Sequence, residues 1–240
     1  MPPFLIVTGP GRSGTSAVAR VLHESGFAVG EAFAPASRHN ERGFYEESAV
    51  VELNERIFDD CGMTGMQRCP SREEVLDAAV RYRDEMRRLV AASTAHGWKD
   101  PRFCVTLEAW LPHFASPPRV VVCLRSPEAF VQSAVRAYGV VPRERLEDWW
   151  AGHLRRALDT IAAYRLGATC VAYDDLLAHP RDIVRALSRF VAHPLDARYV
   201  EPALRHHAQR VPPHHRPLYD EVRALAYPPA RAWASSRSSR

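Results

Sequence analysis

The chain contains a single lysine, Lys99, although lysine and arginine together number 32. Every other cationic side chain is an arginine. A compact ammonium and a planar guanidinium are not interchangeable where a charged group is bound or transferred. The position that keeps the ammonium is therefore a candidate functional residue. The alternative is chance retention in an arginine-rich composition.

The sequence also lacks a C-x-x-C pair, a long apolar run and a strong net charge. Its five cysteines form no pattern typical of a disulfide framework or a zinc site, which favours reduced thiols. No apolar run has the length of a signal peptide or membrane span, so we expect a cytoplasmic protein. The net charge of +4 suits an anionic ligand but is too small to predict a nucleic-acid partner.

The 240 residues fit one α/β domain, placed at 1–233, with a Ser/Arg-rich tail at 234–240 that we expect to be disordered. Continuous apolar runs predict three buried strands, at 4–7, 119–124 and 168–173. Helical patterns fall at 15–25, 47–60, 71–95, 127–138, 143–166 and 180–192. This alternation predicts a three-layer α/β fold, with a mainly parallel central sheet and helices on both faces.

A glycine-rich segment joins the first predicted strand to the first predicted helix. It reads Gly9-Pro10-Gly11-Arg12-Ser13-Gly14-Thr15-Ser16. In this position backbone amides and a helix N-terminus converge on an anion. The spacing matches a phosphate-binding loop, except that Thr15 stands where nucleotide triphosphatases carry lysine. Because the cation is instead Arg12, inside the loop, the pattern favours a phosphosulfate over a triphosphate with Mg²⁺.

A second strand-to-helix junction carries Arg125 at the end of the strand and Ser133 two turns into the helix. Open α/β sheets bind ligands at the carboxyl ends of their strands. A guanidinium and a hydroxyl suit a second phosphate. Taken alone, this pair is equally typical of a helix cap and a surface arginine.

Together these motifs resemble the sulfotransferases that use 3′-phosphoadenosine 5′-phosphosulfate (PAPS), collinearly over about residues 4–192. The resemblance implies a P-loop-like sulfotransferase fold. It assigns the 5′-phosphosulfate to Gly11, Arg12, Ser13, Gly14, Thr15 and Ser16. It assigns the 3′-phosphate to Arg125 and Ser133, and places Tyr173 of the segment 173–176 near the adenine. The segments 40–46 and 98–102 look more like bacterial and Golgi-type members than like cytosolic drug-metabolising ones.

The resemblance also implies catalytic residues. Arg12 and Lys99 are the candidates that stabilise charge on the leaving phosphate. For the general base we favour Glu46, then His39, then Asp100. Two simpler interpretations stay open: Lys99 and Asp100 form a surface ion pair, and Glu46 is an acid at a helix N-terminus.

One family motif is missing from the chain. It lacks the C-terminal Arg-Lys-Gly motif that many members use for the 3′-phosphate, for which Arg205, Arg210 or Arg216 are candidate substitutes. Histidine pairs at 206–207 and 214–215 have no flanking carboxylate or cysteine in sequence, so we interpret them as solvated or substrate-facing and predict no metal site.

The predicted activity is transfer of a sulfuryl group from PAPS to a hydroxyl or amine of a small-molecule or carbohydrate acceptor, without a required metal. The sequence does not identify the acceptor or the oligomeric state. Two alternatives remain. A P-loop small-molecule kinase requires Mg²⁺ and ATP, but the chain lacks the P-loop lysine and a clear aspartate after a strand that holds Mg²⁺. A non-catalytic nucleotide-binding module requires neither Lys99 nor Glu46.

Overall fold

Four parallel strands form the central sheet of the computed structural model, which describes residues 3–33, 44–63, 68–201 and 210–226. They are β1 (Leu5–Thr8), β2 (Gly97–Lys99), β3 (Arg119–Leu124) and β4 (Ala168–Ala172). Their order across the sheet is β2-β1-β3-β4. Adjacent strands pair in parallel throughout. The predicted residue His39 and the predicted tail lie outside the described ranges.

Helices connect and cover these strands. They are α1 (Thr15–Glu24), α2 (Ser48–Asp60), α3 (Arg72–Ala79), α4 (Arg83–Ala92), α5 (Phe103–Trp110), α6 (Pro127–Tyr138), α7 (Arg143–Ala163), α8 (Tyr173–Ala178), α9 (Pro180–Val191) and α10 (Arg216–Arg223). Within the described ranges, no helix combines the length and the apolar character needed to cross a membrane.

Alternate residues along each strand face two separate hydrophobic cores. On β1, Ile6 packs into the core formed with α2, α3, α5 and α7. Its neighbours Leu5 and Val7 pack into the core formed with α1, α8 and α9. Because both faces of the sheet are covered, its strands are apolar on both sides. The predicted three-layer α/β fold is confirmed.

Several details differ from the sequence prediction. The strand β2 was not predicted, because three residues beginning with glycine are too short to show a strand pattern. The helix predicted over 71–95 is two helices, α3 and α4, joined by a 3₁₀ turn at Val80–Tyr82. Tyr173 opens α8 instead of ending β4, since Asp174 and Asp175 follow it and stabilise the first turn of that helix.

The strand order places a ligand crevice between β1 and β3. The chain leaves β1 for β2 on one side and then crosses to β3 on the other, and ligands of open α/β sheets bind where the strand order reverses in this way. Gly9, directly after β1, has φ 144°. A Cβ atom there would lie 2.3 Å from the carbonyl oxygen of Cys123, so this close approach of β1 and β3 requires glycine.

Candidate active site

The glycine-rich segment forms the predicted turn between β1 and α1. Gly14 caps the helix with φ 88°, and neither a capping side chain nor an acidic residue neutralises this described N-terminus. Ser13 closes the turn by donating its backbone N–H to the carbonyl of Pro10 (3.1 Å). A Cβ atom built on Gly11 meets no neighbour within 4 Å, so this face of the described loop is open. An uncapped helix start beside an open glycine loop is suited to bind an anion.

Gly14 lets Tyr173 pack directly against the loop. A Cβ atom at Gly14 would lie 2.2 Å from Cδ2 of Tyr173, a buried side chain. The ring of Tyr173 also stacks beneath the guanidinium of Arg125, whose Cζ lies 4.9 Å from the ring centroid. Tyr173 therefore joins the loop to the second junction, in addition to the adenine contact that the resemblance implies.

We expect Gly14→Ala to destabilise the protein by about 2–4 kcal/mol, from a left-handed backbone at a residue with a Cβ and from steric overlap with Tyr173. Urea denaturation followed by circular dichroism measures this loss. Gly11→Ala is the matched control in the same loop, with open space at its Cβ. Equal losses of stability in the two variants would contradict the assigned packing of Tyr173.

Arg12, Arg125 and Ser133 meet in the crevice. Arg12 donates from Nε to Oγ of Ser133 (3.3 Å), and Arg125 donates from its guanidinium to the backbone carbonyl of Arg12 (3.0 Å). The indole N–H of Trp150, on α7, holds the carbonyl of Arg125 (3.1 Å). The two strand-to-helix junctions are thus brought into contact, as a single ligand spanning both of them requires.

Electrostatics in this crevice favour an anion. Burial lowers the pKa of Arg125, while Tyr173 and Asp174 act in the opposite direction and the charges of Arg12 and Arg136 lower it further. Among the described residues, Oγ of Ser13, Nε of Arg125 and Oγ of Ser126 are buried without a hydrogen-bond partner. Buried polar groups without partners are costly, so they point to a polar ligand. An anion with several oxygen atoms would accept hydrogen bonds from all three of these groups.

Lys99 ends β2, in register with Val7 of β1, and its side chain is only 1% exposed. Its Nζ donates to Oγ of Ser16 (3.2 Å) and to the carbonyl of Phe44 (3.0 Å), and it forms an ion pair with Glu46. The only lysine of the chain is therefore buried beside the glycine-rich loop. Lys99 contacts the end of this loop at Ser16, whereas the side chain of Arg12, within the loop, contacts Ser133.

Asp100 is occupied by other partners. One oxygen of its buried carboxylate accepts from Nδ2 of Asn54 (2.8 Å), and the other accepts from the backbone N–H (2.9 Å) and guanidinium (3.0 Å) of Arg102. Its backbone carbonyl accepts from Oγ1 of Thr8 (3.1 Å). The interpretation of Lys99 and Asp100 as a surface ion pair is wrong, because both are buried and each pairs elsewhere. The contact with Thr8 holds the carboxyl end of β2 against the carboxyl end of β1.

Glu46 is the acidic partner of Lys99. It is 8% exposed, and burial raises its pKa, while the positive charge of Lys99 acts in the opposite direction. The next residue, Glu47, occupies the N-cap position of α2, but its carboxylate makes no capping hydrogen bond and accepts instead from the backbone N–H of Ala32 (3.0 Å). Glu46 precedes the helix and pairs with Lys99 instead of with the helix N-terminus.

Several residues of this site were not predicted. Ser126 follows Arg125 directly, and its position at a strand end was a usable signal. Trp150 and Asn54 lie on helices far away in sequence, and only the folded chain shows their contacts with Arg125 and Asp100. Of the candidate substitutes for the missing basic motif, Arg210 and Arg216 are exposed and Arg205 lies outside the described ranges.

The interpretation of the histidine pair at 214–215 needs correction. The pair has a flanking carboxylate, because Nε2 of His214 and Nε2 of His215 lie 3.5 Å and 3.4 Å from Oε2 of Glu147 on α7. These residues are 67 or more positions apart in sequence and meet only through the fold. The pair at 206–207 lies outside the part of the chain that the structure describes.

Comparison with known proteins identifies a similar fold. No family model matches the chain, and no curated protein is significantly similar to it. It is similar in structure to the sulfotransferase domain from the curacin biosynthetic pathway, with 16% identity and a TM-score of 0.51 over 100% of this chain and 99% of that one. The chain therefore has the α/β fold of a sulfotransferase domain.

Two further solved structures are matched with lower TM-scores. The sulfotransferase domain of the Synechococcus PCC 7002 olefin synthase has 21% identity and a TM-score of 0.47 over 95% of this chain and 89% of that one. Sulfotransferase STF1 from Mycobacterium tuberculosis H37Rv has 18% identity and a TM-score of 0.48, over 87% of this chain and 72% of that one.

Proposed function

We propose that the protein is a sulfotransferase that moves a sulfuryl group from PAPS to a hydroxyl or amine of a small-molecule or carbohydrate acceptor. The observation that carries this proposal is the convergence of Arg12 and Arg125 in one crevice beside the open loop. A ligand with a phosphosulfate at one end and a ribose phosphate at the other requires cations at both junctions. The fold supports the same class of reaction.

The residues of the crevice fit such a donor. Arg125, Ser126 and Ser133 would hold the 3′-phosphate, which satisfies the unpartnered Nε of Arg125 and Oγ of Ser126. The loop amides, Ser13 and the start of α1 would hold the 5′-phosphosulfate. The donor supplies the activated sulfuryl group, and the protein's task is to position and stabilise the reacting atoms.

The transfer is an in-line displacement at sulfur. The acceptor oxygen or nitrogen forms a bond to sulfur while the bond from sulfur to the bridging oxygen breaks. The electron pair of that broken bond stays on the 5′-phosphate of the departing 3′-phosphoadenosine 5′-phosphate. The acceptor proton must leave at the same time, so the site needs a base and a cation near the bridging oxygen.

Glu46 and Lys99 would meet these two requirements together. In the resting site their charges compensate each other. When Glu46 accepts the acceptor proton it becomes neutral, and the ammonium of Lys99 then has no charged partner. Because Lys99 already contacts Ser16 at the start of α1, its charge is placed to stabilise the developing negative charge on the leaving phosphate. Arg12 would bind the donor through its side chain, which lies beside Ser133.

Binding of 3′-phosphoadenosine 5′-phosphate tests the donor assignment. We expect calorimetry to show binding of this bisphosphate without Mg²⁺ and in preference to ATP. Arg125→Ala should weaken this binding about 10- to 150-fold, the effect of losing about 1.5–3 kcal/mol of charge-assisted hydrogen bonding. Arg165→Ala is the matched control. Arg165 is an exposed arginine between α7 and β4, at the amino ends of the strands, whereas Arg125 follows the carboxyl end of β3.

Two outcomes would contradict the donor assignment. A preference for ATP in the presence of Mg²⁺ would favour the small-molecule kinase. Equal bisphosphate affinity in the Arg125 and Arg165 variants would place the nucleotide outside this crevice. Thermal unfolding of both variants without nucleotide verifies that each is folded before the affinities are compared.

A further inference from the structure

Glu147, His214 and His215 form a compact group of metal-binding side chains away from the phosphate-binding loop. Glu147 lies on the second turn of α7, and the histidines lie in the 3₁₀ turn Pro213–His215 that leads into α10. One possible ligand atom from each residue lies within 4.8 Å of the other two. The planes of the two imidazole rings are tilted by 51° to each other, with their centroids 4.1 Å apart.

The distances within this group suit coordination better than hydrogen bonding. The Nε2 atoms of His214 and His215 lie 3.5 Å and 3.4 Å from Oε2 of Glu147. Hydrogen bonds between nitrogen and oxygen are usually about 2.7–3.2 Å long. Ligand atoms at about 2.0–2.1 Å from a tetrahedral zinc ion are separated by about 3.3–3.4 Å. Two of the three separations within the group therefore match those around a zinc ion, and all three lie within 4.8 Å.

Neighbouring residues prepare these side chains for a metal ion. Arg143 donates from Nε to Oε1 of Glu147 (2.7 Å), which orients the carboxylate and leaves Oε2 facing the histidines. The ring of Trp150 packs on His215, with centroids 5.2 Å apart. The side chains of Glu147 and His215 are each only 12% exposed, whereas that of His214 is 64% exposed and provides a path from solvent.

We propose that Glu147, His214 and His215 bind a divalent transition metal of the zinc class, with a fourth position for water. Two imidazoles and one carboxylate are a ligand set that zinc accepts. The ion would fasten the 3₁₀ turn and α10 to α7. Since Trp150 contacts His215 on one side and donates to the carbonyl of Arg125 on the other, the same attachment would also stabilise the crevice beside Arg125. This site stands independently of the proposed sulfotransfer.

Cobalt(II) spectroscopy on the full, tag-free and metal-stripped chain tests this site. We expect one equivalent of Co²⁺ to give the visible absorption of a four-coordinate site and Zn²⁺ to displace it. His214→Ala changes an exposed residue and should leave the fold intact while weakening Co²⁺ binding by at least about 100-fold, because it removes a ligand. Glu147→Gln should have a similar effect. Added Zn²⁺ should raise the thermal midpoint of the unmodified chain but not of either variant.

The second histidine pair provides a matched control. The double variant His206→Ala/His207→Ala should bind Co²⁺ with the affinity of the unmodified chain. Loss of binding in that variant, with binding preserved in His214→Ala, would place the metal elsewhere and overturn the proposal. Absence of a saturable visible band in the unmodified chain would overturn it as well. Circular dichroism of each metal-free variant establishes that it is folded.

Discussion

Replacing Lys99 with methionine should lower the turnover rate about 10²- to 10³-fold, the usual effect of losing one preorganised group that stabilises a developing negative charge. The methionine keeps the length and apolar stem of the lysine and removes only the ammonium. Release of 3′-phosphoadenosine 5′-phosphate from PAPS measures the rate. Affinity for the bisphosphate should change little, since Arg125 and the loop amides remain. Lys99 would then act on the transferring group more than on nucleotide binding.

Stability must be separated from chemistry in this variant, because Lys99→Met leaves the carboxylate of Glu46 buried without its partner. Removing one member of a buried ion pair costs about 3–5 kcal/mol when the other stays charged. The double variant Lys99→Met/Glu46→Gln removes both charges and should regain most of that stability in urea denaturation. Lys99→Met retaining the full rate while folded, or losing bisphosphate affinity in proportion to its rate, would contradict a role in the transfer.

The fold was predictable because its strands and helices have strong local signals. The runs at 119–124 and 168–173 are apolar at nearly every position, which is typical of strands covered on both faces. Pro127 and Pro180 stand at the first position of α6 and α9, where proline is favoured. The strand β2 gave no such signal, because its three residues are stabilised by pairing with β1 and by packing of Trp98 in the core.

The sequence indicated candidate site residues where a cationic side chain stands at or after the end of a predicted strand or in a motif of its own. Arg12, Arg125 and Lys99 each follow or end a parallel strand, and the carboxyl ends of such strands meet at one edge of the sheet. Contacts between distant segments were not predictable. The pairing of Lys99 with Glu46 and the position of Glu147 beside His214 and His215 depend on how loops cross that edge, which local sequence does not encode.

Replacing Glu46 with glutamine should lower the turnover rate about 10²- to 10⁴-fold, the contribution of a positioned general base. Glutamine keeps the shape of the side chain and its contact with Lys99 but cannot accept the proton. The pH dependence distinguishes this role from a structural one. A base works only when it is ionised, so the rate should fall as the pH decreases through the pKa of Glu46. Because burial raises that pKa, the fall should begin above the ordinary value of 4.5.

The acidic limb of the pH profile is therefore the decisive measurement for Glu46. It should be present in the unmodified chain and missing from Glu46→Gln, whose residual rate should be flat over the same range. Glu47→Gln is the matched control, because the carboxylate of Glu47 accepts hydrogen bonds from the backbone of residues 31 and 32 and does not contact Lys99 in the described structure. That variant should keep the limb. If the limb persists in Glu46→Gln, another group takes the proton, and His39, the second candidate, becomes the residue to replace.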